Sequence, residues 1–191
     1  MLITNSEIKN MKKAYILLAE GFETIEALTP LDVLVRSGVE VRTLAIGSGY
    51  DVRSAQGVVV MADGLLSATD MSDGDALILP GGYPGYENLG KSSEVLRWVG
   101  NYFENGKIVA AICGAPTVLA LAGVGYGKEI TAHTSVTSEL ADYKVSSNDV
   151  VCSDNLITGK GAGLSLPFAF AIAEALTSTE TVANVKDKME L

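Results

Sequence analysis

The central stretch of the chain reads Lys107-Ile-Val-Ala-Ala-Ile-Cys-Gly-Ala-Pro116. Its apolar run is not interrupted by polar residues, which is typical of a strand buried on both faces in a parallel sheet. Small apolar residues follow and predict a helix over 114–122. The stretch therefore predicts a buried strand, a sharp turn at Cys113 and a helix.

Similar apolar runs lie on both sides of this stretch and alternate with helical patterns. Strands are predicted at 13–19, 39–46, 75–79, 107–112, 130–132, 150–153 and 156–158, and a hairpin at 51–62. Helices are predicted at 92–105, 165–176 and 179–188. Strands that alternate with helices indicate a doubly wound α/β fold, with a mostly parallel sheet and helices on both faces.

A further helix is predicted within residues 23–38, where apolar residues recur at helical spacing and Gly38 provides a stop. Pro30 leaves the start of this helix open, because proline is favoured in a first turn and disfavoured in a helix interior. Either the helix begins at a Thr29 cap, or it begins near Glu23 and kinks at the proline.

The length and composition predict one folded domain. The chain has 191 residues, of which 48% are hydrophobic and 19% charged, and this is enough to bury a sizeable core and to exclude global disorder. We expect residues 12–191 to form this domain. Residues 1–11 lack the apolar core of a signal peptide and are interpreted as a polar leader that ends at a second methionine, Met11.

The charge of the chain is strongly acidic, since 14 Lys and Arg residues against 23 Asp and Glu residues give −9. This excess argues against nucleic acid or an anionic membrane surface as the main partner. No apolar run approaches the roughly 18 residues of a membrane-spanning helix. We therefore expect a cytoplasmic protein whose partner is a small molecule.

The sequence carries no motif for a cofactor or a metal. Gly159-Lys-Gly-Ala-Gly163 and Gly123-Val-Gly-Tyr-Gly127 match neither a dinucleotide-binding loop nor a P-loop. Two cysteines without a CxxC motif and one histidine do not give a tetrahedral zinc site. We therefore expect a protein that works without a cofactor.

The carboxyl ends of parallel strands are where open α/β sheets bind ligands. Cys113 stands at such an end, and the N–H groups of the following helix are expected to lower the pKa of its thiol. This placement resembles a nucleophile elbow. The alternative is a small buried apolar residue, which is common for free cysteine. The second cysteine, Cys152, lies in a short alternating strand and is interpreted as structural.

Four more candidate residues follow neighbouring strands. Gly82 and Gly114 can offer backbone N–H groups as an oxyanion hole, although a tight turn alone would also explain a glycine. Glu26, if it is buried, can hold a proton for a thiolate or act as a base. His133 can complete a thiol–imidazole pair, although a lone histidine is more often structural. In contrast, Glu23 is interpreted as a solvated carboxylate in the first turn of a helix.

Six motifs occur in the order found in one known family. They are Ala19-Glu-Gly-Phe-Glu-Thr-Ile-Glu26, Pro30-Leu-Asp-Val-Leu34, Leu79-Pro-Gly-Gly82, Ala110-Ala-Ile-Cys-Gly-Ala-Pro-Thr117, Ile130-Thr-Ala-His133 and Gly159–Ser165. With these motifs the chain resembles the ThiJ/PfpI superfamily, in its Parkinson-associated branch, from about residue 12 to residue 191. The resemblance implies a flavodoxin-like α/β sandwich and a homodimer.

The resemblance also implies roles for the candidate residues. The reactive cysteine of the family matches Cys113, its protonated glutamate matches Glu26, and its nearby histidine matches His133. Its backbone donors for an oxyanion match Gly82 and Gly114.

Two activities from different classes are consistent with these residues. One is a cofactor-independent glyoxalase or deglycase, in which the cysteine attacks reactive small carbonyls such as methylglyoxal. The alternative is a peroxide-responsive redox sensor or stress-protective protein that uses oxidation of Cys113 and has little turnover. An enzyme of thiazole or nucleotide salvage is suggested by the naming of the family alone.

Three positions depart from the pattern of the family. Gly114 stands where the protease-like branch has a histidine, which argues against a peptidase. Gln56 stands where the human-type branch has an anion-binding arginine, and Met61 where it has a second redox cysteine. We therefore do not expect the anion binding or the interface redox switch of that branch in this protein.

Overall fold

A computed structural model describes residues 11–191, which are built around a seven-stranded sheet. In sheet order its strands are Val150–Ser153 (β10), Leu156–Gly159 (β11), Ile108–Ile112 (β7), Ala76–Leu79 (β6), Lys13–Leu18 (β1), Glu40–Ala45 (β2) and Gly64–Leu65 (β5). All neighbours pair in parallel except β10, which is antiparallel to β11. The predicted, mostly parallel sheet is confirmed.

Helices cover both faces of this sheet. On one face lie Gly85–Lys91 (α2), Ser93–Glu104 (α3) and Pro116–Leu121 (α4). On the other lie Thr24–Arg36 (α1), Ser165–Leu176 (α5) and Thr179–Lys188 (α6). Along β1, Leu17 belongs to the first core and Ile16 and Leu18 to the second. The apolar run is continuous because both faces of the strand are buried.

The order of the strands reverses between β1 and β6, since the chain continues from β1 to β2 on one side and β6 lies on the other. The carboxyl ends of strands at such a reversal form a crevice in which doubly wound folds bind ligands. Gly81 and Gly82 follow β6 in this crevice, and Cys113 follows β7 immediately beside it.

The predicted hairpin is present as Asp51–Arg53 (β3) and Val59–Met61 (β4), which pair antiparallel. A single bridge joins Ser54 to Phe22, in the segment that follows β1. The hairpin therefore borders the carboxyl end of β1, where the candidate site lies.

The structure decides how the Pro30 helix begins. Helix α1 runs from Thr24 to Arg36 with Pro30 inside it, so the start near Glu23 is right and the Thr29 cap is wrong. An interior proline lacks the N–H that would bond to the carbonyl four residues earlier. Helix α1 tolerates this loss because its inner face, which includes Val33 and Leu34, is fully buried.

Other elements also differ from the sequence prediction, among them the edge strand β5, which was not predicted. The helix predicted over 114–122 is the shorter α4, and α2 was not predicted. The strand predicted over 130–132 is wrong as part of the main sheet. Only Glu129–Ile130 (β8) is extended there, and it pairs with Lys144–Val145 (β9) in a separate two-stranded sheet.

The predicted leader, residues 1–11, lies outside the described residues except for Met11. In residues 11–191 there is no helix with the length and hydropathy needed to span a membrane. The same residues contain no group of three or more His, Cys, Asp or Glu side chains that could hold a metal ion.

Candidate active site

Cys113 occupies a strained turn between β7 and α4. Its φ of 64° lies in the left-handed region, which is uncommon for a residue with a side chain. Its N–H donates to the Gly159 carbonyl (2.9 Å), and its own carbonyl accepts from the His133 N–H (2.9 Å). Strain of this kind persists only where the surroundings hold the backbone. The turn presents the partly exposed thiol at the edge of the sheet, as the sequence predicts.

Glu26 projects from the first turn of α1 and is fully buried. Its Oε2 accepts a hydrogen bond from the Gly81 N–H at 2.8 Å. Within residues 11–191 its Oε1 has no hydrogen-bond partner. The carboxyl group lies close to the Cys113 side chain, since both border the same point beside Gly81. The burial that the sequence left open is therefore complete, and the carboxyl group keeps one oxygen without a partner near the thiol.

Burial raises the pKa of Glu26 from 4.5 to about 7, because a carboxylate is poorly solvated in the interior. The hydrogen bonds from Gly81 and Cys113 act in the opposite direction but do not cancel the effect. A carboxyl group with this pKa is a substantial source of protons at neutral pH.

Burial is also the largest cause that raises the pKa of the Cys113 thiol, to about 12 beside an ionised Glu26. The charge of Glu26 and its hydrogen bond to the thiol follow. Backbone N–H groups of Gly114 and Gly82 lower the pKa, but by less. The prediction that the helix N-terminus leaves this thiol with a lowered pKa is therefore wrong while Glu26 is ionised. Helix α4 is short and begins only at Pro116.

The two predicted oxyanion donors, Gly82 and Gly114, both act on the thiol, since the backbone N–H group of each lowers its pKa. Gly82 has a φ of 88°, and a Cβ there would lie 2.6 Å from the Gly21 carbonyl oxygen. A Cβ at Gly114 would lie 2.5 Å from Cδ1 of Tyr86. Close packing around the turn thus accounts for glycine at both positions.

His133 reaches the site through its backbone, although the strand expected to lead up to it ends at Ile130. Its exposed ring accepts a hydrogen bond at Nδ1 from the Ser135 N–H (3.2 Å) and lies 2.8 Å from Ser135 Oγ. A backbone N–H can only donate, so Nδ1 is unprotonated and the neutral ring carries its proton on Nε2. The hydrogen bonds of the ring go to Ser135, and only the backbone N–H of His133 bonds to Cys113.

Gln56 links the hairpin to the start of α1. Its Oε1 accepts from the Thr24 N–H (3.1 Å) and Oγ1 (2.7 Å), and its Nε2 donates to Glu23 Oε2 (2.5 Å). Glu23 is the N-cap residue of α1 and is only partly exposed. The Glu23 carboxylate, which was predicted to be solvated, therefore accepts a hydrogen bond from the side-chain amide of Gln56.

Two other sulfur-bearing residues lie away from the site. Met61 is largely exposed on β4 of the hairpin. Cys152 is exposed on β10, an edge strand two strands away from β7.

Comparison with known proteins places this arrangement in a family. The model of the DJ-1/PfpI family matches residues 12–175. The chain belongs to this family. Protein dj-1beta of Drosophila melanogaster is 37% identical over 176 residues, which cover 91% of this chain and 94% of that protein. The Glutathione-independent glyoxalase DJR-1.2 of Caenorhabditis elegans is 35% identical over 173 residues, which cover 88% and 91%.

Solved structures agree with the sequence matches. The crystal structure of Drosophila melanogaster DJ-1beta superposes with a TM-score of 0.92 at 35% identity, covering 95% of this chain and 98% of that one. The oxidized DJ-1 of Toxoplasma gondii gives a TM-score of 0.87 at 29% identity, covering 93% and 97%. The resemblance to the ThiJ/PfpI superfamily and the flavodoxin-like α/β fold are thereby confirmed.

Proposed function

We propose that the protein is a cysteine-dependent, cofactor-independent enzyme of the glyoxalase/deglycase type that acts on reactive small carbonyls such as methylglyoxal. The observation that carries this proposal is the fully buried Glu26 carboxyl group, with its raised pKa, beside the Cys113 thiol. A relative that covers most of the chain is named as a glutathione-independent glyoxalase, which supports the same activity.

Glu26 and Cys113 titrate as a coupled pair. An ionised Glu26 raises the pKa of the thiol through its charge. When Glu26 keeps its proton, this charge is absent and its O–H donates a hydrogen bond to the thiolate. The N–H groups of Gly82 and Gly114 then favour the thiolate as well. The pair thus loses its first proton near pH 7, the pKa of Glu26, and the reactive state is the one in which the thiol has lost it.

The reaction begins when the Cys113 thiolate attacks the aldehyde carbon of methylglyoxal. A C–S bond forms, and the carbonyl oxygen takes a proton to give a hemithioacetal. A proton then leaves the former aldehyde carbon and another is added to the neighbouring carbon, so the first carbon is oxidised and the second reduced. Water hydrolyses the resulting thioester and releases lactate. One water is consumed overall, and no external oxidant or reductant is needed.

Each polar group of the site has a task in this sequence. The Gly82 and Gly114 N–H groups, which favour the thiolate, hold the developing oxyanion beside it. Glu26 supplies the proton to the oxygen and takes it back. We assign the transfer between the two carbons to His133, whose Nε2 carries the exchangeable proton at the same edge of the sheet.

The test is lactate formation from methylglyoxal without glutathione. The wild-type protein and Cys152→Ala are expected to turn over at similar rates, whereas Cys113→Ser is expected to lose activity. Both variants replace a sulfur-bearing residue that lies on or beside a strand, so Cys152→Ala is the matched control. Activity retained by purified Cys113→Ser would reject the assignment.

A second candidate function is peroxide sensing, because the Cys113 thiol is partly exposed and one solved relative is described as oxidized. The thiolate attacks one peroxide oxygen and releases water, which gives a sulfenate; a second peroxide gives the sulfinate. Intact mass after mild peroxide should then rise by about 32 Da in the wild type and in Cys152→Ala, but not in Cys113→Ser. If the modification follows Cys152 instead, Cys113 is not a sensor.

We also propose that the protein is a cytoplasmic homodimer. The β3–β4 hairpin exposes three apolar side chains, Val58, Val59 and Met61, beside the candidate site. An exposed apolar group of this kind favours a contact between copies. Sedimentation velocity should show a dimer that Val59→Lys dissociates and Val35→Lys, an equally exposed change on α1, does not. If neither variant dissociates the dimer, its interface lies elsewhere on the protein.

A further inference from the structure

A cavity of about 470 Å³ lies where α2 and α4 meet the 3₁₀ turn Thr134–Glu139. None of Glu26, Cys113 and His133 lines it. Its volume falls in the range of small-molecule sites. The proposed chemistry therefore leaves this cavity unused.

The apolar part of the cavity wall is already held in place by contacts within the protein. Tyr126 is half exposed, yet its O–H donates to the Ala120 carbonyl at 3.0 Å and its ring lies edge-on to Tyr143, with the ring centroids 5.6 Å apart. Leu121 is 62% exposed and lies against Gly90, where an added Cβ would be 2.7 Å from its Cδ1. Walls that are already ordered cost a ligand little conformational entropy.

The charge of the cavity is negative. Glu87, Glu139 and Asp142 line it, together with a single cation, Lys91, which pairs with Glu87 at 3.0 Å. Neither Glu139 nor Asp142 forms an ion pair with a described lysine or arginine, which leaves two carboxylates uncompensated. Burial, followed by the charges of Glu87 and Glu139, raises the pKa of the Tyr86 hydroxyl on the cavity wall.

We propose that this cavity binds an alkyl diammonium ion, that is, a short aliphatic chain with an amino group at each end. The uncompensated carboxylates of Glu139 and Asp142 attract the two ammonium groups. Tyr126 and Leu121 line the same cavity, so an ammonium group can contact the Tyr126 ring and the methylenes can pack against Leu121. Anionic ligands are disfavoured by the same carboxylates.

The cavity borders the candidate active site but is separate from it. The Tyr86 ring contacts both the cavity and Gly114, and Thr117, another lining residue, donates from Oγ1 to the Gly114 carbonyl at 2.8 Å. Binding needs no reaction at Cys113, so Cys113→Ser is expected to bind the diamine as the wild type does. Failure of the proposed activity and failure of this site are therefore distinguishable.

Calorimetric titration with 1,5-diaminopentane at low ionic strength tests the site. The wild type should bind one equivalent, and 1,5-pentanediol, which has the same chain without charge, should not bind. The double variant Glu139→Gln/Asp142→Asn should weaken binding at least tenfold. Tyr126→Leu should weaken it about two- to fivefold, in line with a cation–π contact at a partly exposed site.

The matched control is Glu180→Gln/Asp187→Asn, which removes two exposed carboxylates from α6. It should bind as the wild type does. Equal weakening by the two double variants would show attraction to the overall charge of −9 rather than to this cavity. Such equal weakening would overturn the proposal. Two other results would overturn it as well: unchanged binding by Glu139→Gln/Asp142→Asn, and the absence of saturable binding by the wild type.

Discussion

Glu26 and Cys113 meet across Gly81. An added Cβ at this glycine would lie 2.7 Å from Glu26 Oε2 and 2.8 Å from Cys113 Cβ. A helix, a loop and a strand end thus converge on a position that holds no side chain. The carboxyl group and the thiol can share a buried space because this position is empty, and their titration becomes a property of the pair.

Glu26→Gln should change how stability depends on pH. The pKa of Glu26 rises from 4.5 to about 7 on folding, so its contribution to stability is fully present below pH 4.5 and is lost as the pH rises towards 7. The loss is about 3 kcal/mol. Urea denaturation at pH 8 should therefore give Glu26→Gln a free energy of unfolding that exceeds that of the wild type by up to this amount. At pH 4.5 the two values should differ little.

The control for this prediction is Glu180→Gln, an exposed change on α6 that should show no such gain. A Glu26→Gln protein that is less stable than the wild type at pH 8 would mean that the folded structure stabilises the ionised carboxylate.

The backbone strain at Cys113 can be measured with two variants that both lack the thiol. Cys113→Gly should be more stable than Cys113→Ala by about 1 kcal/mol, because glycine adopts a φ of 64° without steric cost. The comparison uses thermal or urea unfolding. Ala115→Gly, at a φ of −66°, should instead lower stability. If Cys113→Gly is the less stable of the first pair, the turn is not strained.

The contact between Gly114 and Tyr86 should limit substitution at the glycine. In Gly114→Ala the new methyl group would overlap the Tyr86 ring, so we expect reduced stability and activity at least tenfold lower. Tyr86→Ala should restore part of both when combined with it, which a double-mutant cycle measures. Gly163→Ala, where nothing lies within 4 Å, should have little effect. Additive losses in the double variant would show that Tyr86 is not the obstacle.

Proton transfer by Glu26 and His133 predicts a specific loss of turnover. Glu26→Gln and His133→Ala should each lower the rate of lactate formation by about 10²–10⁴-fold. Ser135→Ala removes the hydroxyl beside the His133 Nδ1 and should have a smaller effect, since the Ser135 N–H still holds the ring. Full activity in His133→Ala would assign the proton transfer between the carbons to another group.

The sequence predicts the central strands and the turn at Cys113 well, because a short continuous apolar run in a domain of this size indicates a buried strand. It misses α2, whose residues include Gly85 and Gly90 and begin after Pro84, so local propensity is against a helix. It also extends the strand before His133 too far. That segment is held by long-range backbone bonds, among them the one to the Cys113 carbonyl.

Sequence reasoning predicts which residues form the site more readily than it predicts the chemistry of the site. Cys113, Glu26 and both glycines could be found from strand ends and motifs. The pKa of the thiol could not, because it depends on burial and on a carboxylate that is 87 positions away in the chain (113 − 26). Tyr86 was missed for the same reason, since only the fold brings its ring against Gly114.

The rate of Cys113 alkylation by iodoacetamide against pH tests the coupled pair most directly. It is best measured in a Cys152→Ala background, which leaves one thiol. We expect a rate that rises with a midpoint near pH 7, the pKa of Glu26, and then levels off. With Glu26→Gln added, the midpoint should move to higher pH, because an amide is a weaker donor to the thiolate than a carboxylic acid. A wild-type rate that keeps rising beyond pH 9, or the same profile with and without Glu26, would contradict it.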